Sequence, residues 1–286
     1  MAVYIVQGKL GTGKTKYCVG KLREALAKGR RAATNLDIKM EHLCSVQSRA
    51  SVIRVPDKPT ASDLLTMGHG NPDSYDEDKN GVLVLDELGS WLNSRQFQDK
   101  GRSALIDWLI HARKYGWDCY LIVQHLNMID KQVRDALAEY VVRTIRADKM
   151  RIPMVGNFLP DRWARMPRFH IARIGLSDAP GLTVDREWFR GDDLHQSYDT
   201  RQVFRDDPEA RCYSYLSAWH LVGRFQPVQA PRTLWQRLTT SPPRKRPTGP
   251  KSFAAGRLQH YIVDGDERMR VFKRLDQRGL VWSGGC

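Results

Sequence analysis

Residues 3–15 read VYIVQGKLGTGKT: a short apolar run, a glycine-rich turn, then a lysine and a threonine. From Gly8 to Thr15 the string matches the phosphate-binding pattern G-x-x-x-x-G-K-[ST]. It stands where that pattern has meaning, after an expected strand and at the start of an expected helix. Glycines let backbone N–H groups curl around phosphates, and the helix N-terminus adds partial positive charge. On this reading Gly8, Lys9, Leu10, Gly11, Thr12, Gly13, Lys14, Thr15 and Lys16 form the nucleotide-binding segment. Lys14 reaches the β and γ phosphates, and the Thr15 hydroxyl ligates magnesium. The expected cofactors are ATP and Mg2+.

A second apolar run, VLVLDE at 82–87, ends in two carboxylates, the form of a Walker B strand. A strand ending in Asp-Glu is unremarkable alone; paired with the loop at 8–15 it gains a role. Asp86 would hold the magnesium through water, and Glu87 would polarise the attacking water as general base. Gln124 follows the run CYLIV at 119–123, where its amide either senses the γ phosphate and orients water or faces solvent. The string HARK at 111–114 closes an expected helix over 103–114. Cations there suit the helix dipole. The other reading makes Arg113 an arginine finger acting across a subunit interface, which requires a ring assembly. The histidines show no ligand spacing with one another.

The first half alternates apolar runs with helical patterns, the signature of βαβ units. Strands are expected at 3–7, 81–85, 119–124 and 140–145, with a weaker one at 31–35. Helices are expected at 14–28 and 103–114, and an exposed loop at 68–80. The fold class is α/β: a P-loop NTPase with a mainly parallel central sheet flanked by helices, plus an irregular or β-rich C-terminal extension. The chain divides into a core at 1–150, an extension at 151–240, a basic proline-rich linker at 241–258 and a small β-like module at 259–286, a hairpin over 261–282.

With 286 residues, 41% hydrophobic and 27% charged, the chain reads as folded and neither wholly disordered nor a multi-pass membrane protein. Its net charge of +14 favours a polyanionic partner. From Arg211 to Val263 no acidic residue occurs, so the asymmetry points to that region. Five widely spaced cysteines without a C-x-x-C pair signal neither zinc nor a disulfide framework, and suit a reducing compartment. No apolar run approaches the roughly 18–20 residues a spanning helix requires. The expected location is cytosolic or peripheral. Mixed aromatic and basic residues, Trp163, Arg165, Arg168 and Phe169, then Tyr213, Tyr215, Trp219, His220, Arg224 and Phe225, either clamp single-stranded nucleic acid or belong to the core.

The strand YIVQ at 4–7 running into GKLGTGKT, then TNL at 34–36, LVLDE at 83–87, HARKYGWDCYLIVQH at 111–125 and DKQVR at 130–134, resembles the Zot family of zonular occludens toxins and filamentous-phage assembly ATPases. The resemblance covers roughly residues 1–225. It implies a motor on the cytoplasmic side of the bacterial inner membrane that helps extrude single-stranded phage DNA. Implied partners are copies of itself in a homo-oligomeric ring, phage ssDNA or its complex with an ssDNA-binding protein, and an anionic membrane surface or membrane-embedded assembly proteins. By position, Lys14 and Thr15 hold nucleotide and magnesium, and Asp86 and Glu87 serve hydrolysis. This family usually continues through one transmembrane helix into a periplasmic part; after Arg224 no spanning segment is expected here, so the sequence reads either as a soluble variant or as a truncated or separately encoded cytoplasmic portion. Two readings share the same parts: a cytosolic DNA-translocating ATPase of the FtsK/HerA type, and an interaction protein that binds nucleotide without turnover.

Overall fold

The computed structural model describes residues 3–92, 100–129, 131–147, 169–179 and 181–226. Its strands are β1 (Val3–Gln7), β2 (Ala32–Thr34), β3 (Ile53–Arg54), β4 (Gly81–Leu85), β5 (Trp117–Val123), β6 (Tyr140–Arg146), β7 (His170–Leu176), β8 (Thr183–Phe189) and β9 (Tyr213–Ser214). Helices are α1 (Lys14–Ala27), α2 (Met40–Leu43), α3 (Ala61–Thr66), α4 (Leu88–Trp91), α5 (Lys100–Ile110), α6 (Lys131–Leu137) and α7 (Ala218–Leu221). The strands join one sheet in the order β8-β7-β6-β1-β5-β4-β2-β3-β9. From β6 through β3 the neighbours run parallel, while β7, β8 and β9 are antiparallel additions at the edges.

The sheet is covered on both faces, which is why its central strands read as unbroken apolar runs. Along β4, Val82 and Val84 enter one core with Tyr17, Val19 and Leu22 of α1, whereas Leu83 and Leu85 enter the other with Leu105 and Leu109 of α5. The same alternation sends Val6 to the first core and Ile5 to the second. Each face of this α/β sheet therefore has its own helix and its own set of fully buried side chains.

The extension beyond residue 150 supplies β7, β8 and β9, so it builds onto the same sheet at both edges. The expected linker at 241–258 and the hairpin over 261–282 lie outside the described residues. The helix expected over 103–114 runs instead from Lys100 to Ile110. His111 to Lys114 fall in the following turn, where Gly116 takes a φ of 71° before β5 begins at Trp117. The expected loop at 68–80 is anchored at its ends rather than free throughout. Gly70 donates its N–H to Tyr115 at 2.8 Å, the Trp117 indole donates to the Gly68 carbonyl at 2.9 Å, and Asn80 is buried.

Candidate functional site

Sheet order does the first part of the assembly. Strand β5 lies between β1 and β4, so three parallel C-terminal ends, carrying the phosphate loop, Gln124 and the pair Asp86-Glu87, open side by side. They line one cavity of about 440 Å³ together with Lys14, Thr15 and the segment Tyr198 to Phe204. That volume suits a nucleotide-sized ligand.

Within the cavity the Thr15 hydroxyl donates to Asp86 Oδ2 at 2.8 Å, and the Glu87 N–H donates to Asp86 Oδ1 at 2.7 Å. Lys14 Nζ turns back on its own loop and donates to the carbonyls of Gly8 at 2.7 Å and Lys9 at 3.3 Å. Burial lowers the Lys14 pKa, and the Asp86 charge opposes that shift. Burial raises Asp86 too, against the Thr15 hydroxyl, the Glu87 N–H and the Lys14 charge. Each ionised form is disfavoured by desolvation and favoured by an opposite charge. A triphosphate against Lys14 and a divalent cation against Asp86 and Thr15 would supply those charges, so the donor set fits both.

Glycine is required at two positions of the loop. A Cβ on Gly8 would lie 2.6 Å from the hydroxyls of Thr12 and Thr144, and one on Gly13, whose φ is 90°, would lie 2.8 Å from His170 Nδ1. Of the other expected binding residues, Gly11 lines the cavity, Thr12 bonds Lys9 O and Thr144 Oγ1, and Leu10 is exposed. Lys16 lines the cavity as well, and its side-chain nitrogen turns toward the β7-β8 edge. It is buried, with Nζ 3.3 Å from the Arg190 carbonyl, 3.9 Å from Asp192 and 3.5 Å from His170 Nε2.

Arg113 is not brought to this site. It sits in the turn that feeds the N-terminal end of β5, at the opposite ends of the strands from the cavity, where it donates to Glu77 Oε1 at 2.6 Å. That ion pair is exposed, and the Arg113 contact lowers the Glu77 pKa.

Sequence reasoning missed three contributors. Asn35, fully buried at the end of β2, accepts from the Asp86 N–H at 2.8 Å and donates to the carbonyls of Asp86 at 3.1 Å and Asp57 at 2.9 Å. It fixes the backbone that presents both acids. His170 at the start of β7 donates from Nδ1 to the Thr12 carbonyl at 2.9 Å, accepts from Lys16 at Nε2, and stacks on Phe189. One neutral tautomer satisfies both contacts, so the β7-β8 edge braces the phosphate loop. The segment 198–204 walls the cavity because Gln202 bonds Asn35 O and the Asp37 N–H. The TNL string at 34–36, which contributes to the family resemblance, was the one readable signal.

The Glu87 pKa is raised from its ordinary value by burial and then by the Asp86 charge, while Lys58 pulls it down. A base with a raised pKa moves the acid limb of turnover upward. Lys58→Met removes the opposing cation, so that limb is expected to move to still higher pH. Profiles of kcat/KM against pH for the two proteins check this; an unmoved or lowered limb contradicts it.

The aromatic residues divide. Tyr215 is core, its hydroxyl donating to Leu36 O at 3.2 Å and accepting from the Ile38 N–H, and Tyr213 packs edge-on against it. Trp163, Arg165 and Arg168 lie outside the described residues.

The Gene 1 protein of Escherichia phage If1 is 46% identical over 246 residues, covering 84% of this chain and 69% of that protein. The Gene 1 protein of Enterobacteria phage M13 is 45% identical over 232 residues, covering 79% of this chain and 66% of that protein. The chain thus spans about two thirds of the length of these relatives. Among solved structures, the N-terminal domain of zonular occludens toxin from Neisseria meningitidis aligns at 13% identity and a TM-score of 0.40, covering 70% of this chain and 100% of that one. The genome packaging NTPase B204 from Sulfolobus turreted icosahedral virus 2 aligns at 12% identity and a TM-score of 0.35, covering 66% and 96%. The family profile described as zonular occludens toxin (Zot) matches residues 2–172, from the strand that feeds the loop through the histidine that braces it, and the chain belongs to that family.

Proposed function

We propose that this chain is a phage assembly ATPase that couples magnesium-dependent ATP hydrolysis to extrusion of single-stranded phage DNA at the bacterial inner membrane. The observation that carries the reading is the 2.8 Å contact between Thr15 and Asp86 inside a cavity that also holds Lys14, Glu87 and Gln124. The phage Gene 1 relatives support the setting.

Thr15 and Asp86 would hold the magnesium, which neutralises phosphate charge when bound. Lys14 binds the β and γ phosphates and offsets the charge that develops there. Glu87 accepts the proton of the attacking water as its oxygen bonds the γ phosphorus; the bridging oxygen leaves with its electron pair on ADP. Gln124 orients that water. Asn35 keeps Asp86 and Glu87 in place, and Tyr198 and Phe204 shield the cavity from bulk solvent. Both strand-end acids are needed, one for the metal and one for the proton, which argues against nucleotide binding without turnover.

The motor reading includes a homo-oligomeric ring. In it Arg113 would serve a neighbour's nucleotide, which requires release of Glu77. Among the described residues no helix is long and apolar enough to cross a membrane. Membrane contact is proposed through the anionic surface or through membrane-embedded partners. The segment divisions at 150, 240 and 258 are part of the same proposal.

The test is phosphate release by the purified chain with ATP and magnesium, with single-stranded DNA, duplex DNA or acidic vesicles added in turn, and assembly size measured with and without nucleotide. Magnesium-dependent turnover raised by single strands supports the reading. Stimulation by duplex alone points to a cytosolic translocating ATPase, and no turnover in an assembled preparation overturns the catalytic assignment.

A further inference from the structure

Three arginines stand in one register row across the β6-β7-β8 edge of the sheet. Arg143 faces Arg173, and Arg173 faces Arg186. Directly opposed residues lie about 5 Å apart and share a face, and like charges so placed are destabilising. All three side chains are exposed, and among the described residues none has an acidic partner. The acids of β8 point the other way: Glu187 pairs with Lys21 of α1 at 2.8 Å on the core face. The outer face is therefore cationic by arrangement rather than by composition alone.

The next rung of the same face is apolar. Ile145 faces Ile171, and Ile171 faces Trp188, whose side chain is 67% exposed and stacks against Phe169 with centroids 5.2 Å apart. A large exposed indole beside a row of guanidinium groups combines the two elements that bind a single strand, cations for the backbone and a flat ring for a base. The choice of arginine at all three positions favours bidentate contact with phosphate oxygens. The row also continues to Gln7, the residue that precedes the phosphate loop and pairs with Arg143.

We propose that the outer face of β6, β7 and β8 is a docking surface for single-stranded nucleic acid, with Arg143, Arg173 and Arg186 on phosphates and Trp188 stacked on a base. The proposal rests on the motor reading for the identity of the polymer, but its test reads binding and needs no turnover.

Binding of fluorescein-labelled oligothymidylate to the full chain is followed by anisotropy across a salt series. Replacing the three arginines together by alanine should weaken binding on the order of a hundredfold near 0.1 M salt and flatten the log-log salt slope by about 2, at roughly 0.7 per phosphate contact. Trp188→Ala should cost roughly tenfold with the slope unchanged, because stacking releases no counterions. A charge-matched control, alanine at Lys114, Arg205 and Arg211, should leave both quantities near those of the parent. Arg173→Thr guards against misfolding: it removes the middle charge of the row, so in low salt without DNA the thermal midpoint should stay or rise while binding falls. Equal losses in the charge-matched control, or an unchanged slope in the triple variant, overturn the proposal. So does a triple variant that loses only its affinity for phosphatidylserine vesicles, which would make the face a membrane surface. Basal ATP turnover should be retained throughout; a parent that binds oligothymidylate through this face but never hydrolyses ATP would overturn the motor reading and leave the surface standing.

Discussion

Lys14→Ala is expected to lower ATP turnover on the order of a hundred- to a thousand-fold, the loss seen when one preorganised donor is removed from a developing charge. Lys14 is buried, and its ammonium occupies the space the loop encloses, bonded to the carbonyls of Gly8 and Lys9. A bound triphosphate offers phosphate oxygens in place of those carbonyls, so the lysine need only exchange partners without reorganising the fold. Alanine leaves the two carbonyls unanswered. It also removes one of the contacts that oppose the burial-driven rise of the Asp86 pKa, so Asp86 should protonate more readily and hold magnesium less well. Affinity and turnover should therefore fall together. Lys14→Arg should not restore activity, since a planar guanidinium cannot occupy the position of a compact ammonium within that turn. Phosphate release and binding of a fluorescent ATP analogue provide the two readouts; turnover within tenfold of the parent would remove Lys14 from the chemistry.

Glu87→Gln should separate what Lys14→Ala joins. The substitution keeps the size of the side chain and the backbone N–H that donates to Asp86 at 2.7 Å, so the metal-holding carboxylate stays oriented. It removes only the proton acceptor. Turnover should fall by about 10²–10⁴, the usual contribution of a general base, while ATP affinity stays within a few-fold. The variant should consequently accumulate with ATP bound, and any assembly that depends on bound nucleotide should persist in it. A parallel loss of affinity and turnover would mean that Glu87 serves binding and that another group takes the proton.

The parts legible in the sequence were those fixed by local rules. The loop from Gly8 to Thr15 is contiguous and each residue type answers to one requirement, so it reads directly. Asp86 and Glu87 were legible because a strand covered on both faces is apolar to its end, which makes its first carboxylates conspicuous. Strands β1, β4, β5 and β6 were visible for the same reason. What escaped were pieces whose role is set by distant partners. β7 and β8 lie at the sheet edge with an exposed face, so they lack an unbroken apolar run, and arginines, a histidine and acids alternate along them. β3 and β9 have two residues each, below what periodicity can register. His170 carries no local signal: its part depends on β7 returning antiparallel to β6 and bringing the ring beneath Gly13. Lys16, expected in the nucleotide-binding segment, does line the cavity, and its side-chain nitrogen also turns to the bracing edge, which the motif alone does not indicate. Arg113, expected either to suit the helix dipole or to act across a subunit interface, sits at the N-terminal ends of the strands, away from its own chain's cavity, and its bond to Glu77 has no local signal in the sequence.

Among the described residues, Glu87 is the one non-glycine with a positive φ, at 55°. Side chains with a Cβ resist that region by about 1–2 kcal/mol, and glycine does not. Glu87→Gly should therefore give a protein that melts no earlier than the parent, and somewhat later where relief of the twist outweighs the added freedom of the unfolded chain, yet is catalytically inert. Heat tolerance and work pull in opposite directions at this single codon. A population screened only for survival at high temperature would drift toward glycine there and lose its engine, whereas one required to release progeny would keep the ill-fitting glutamate.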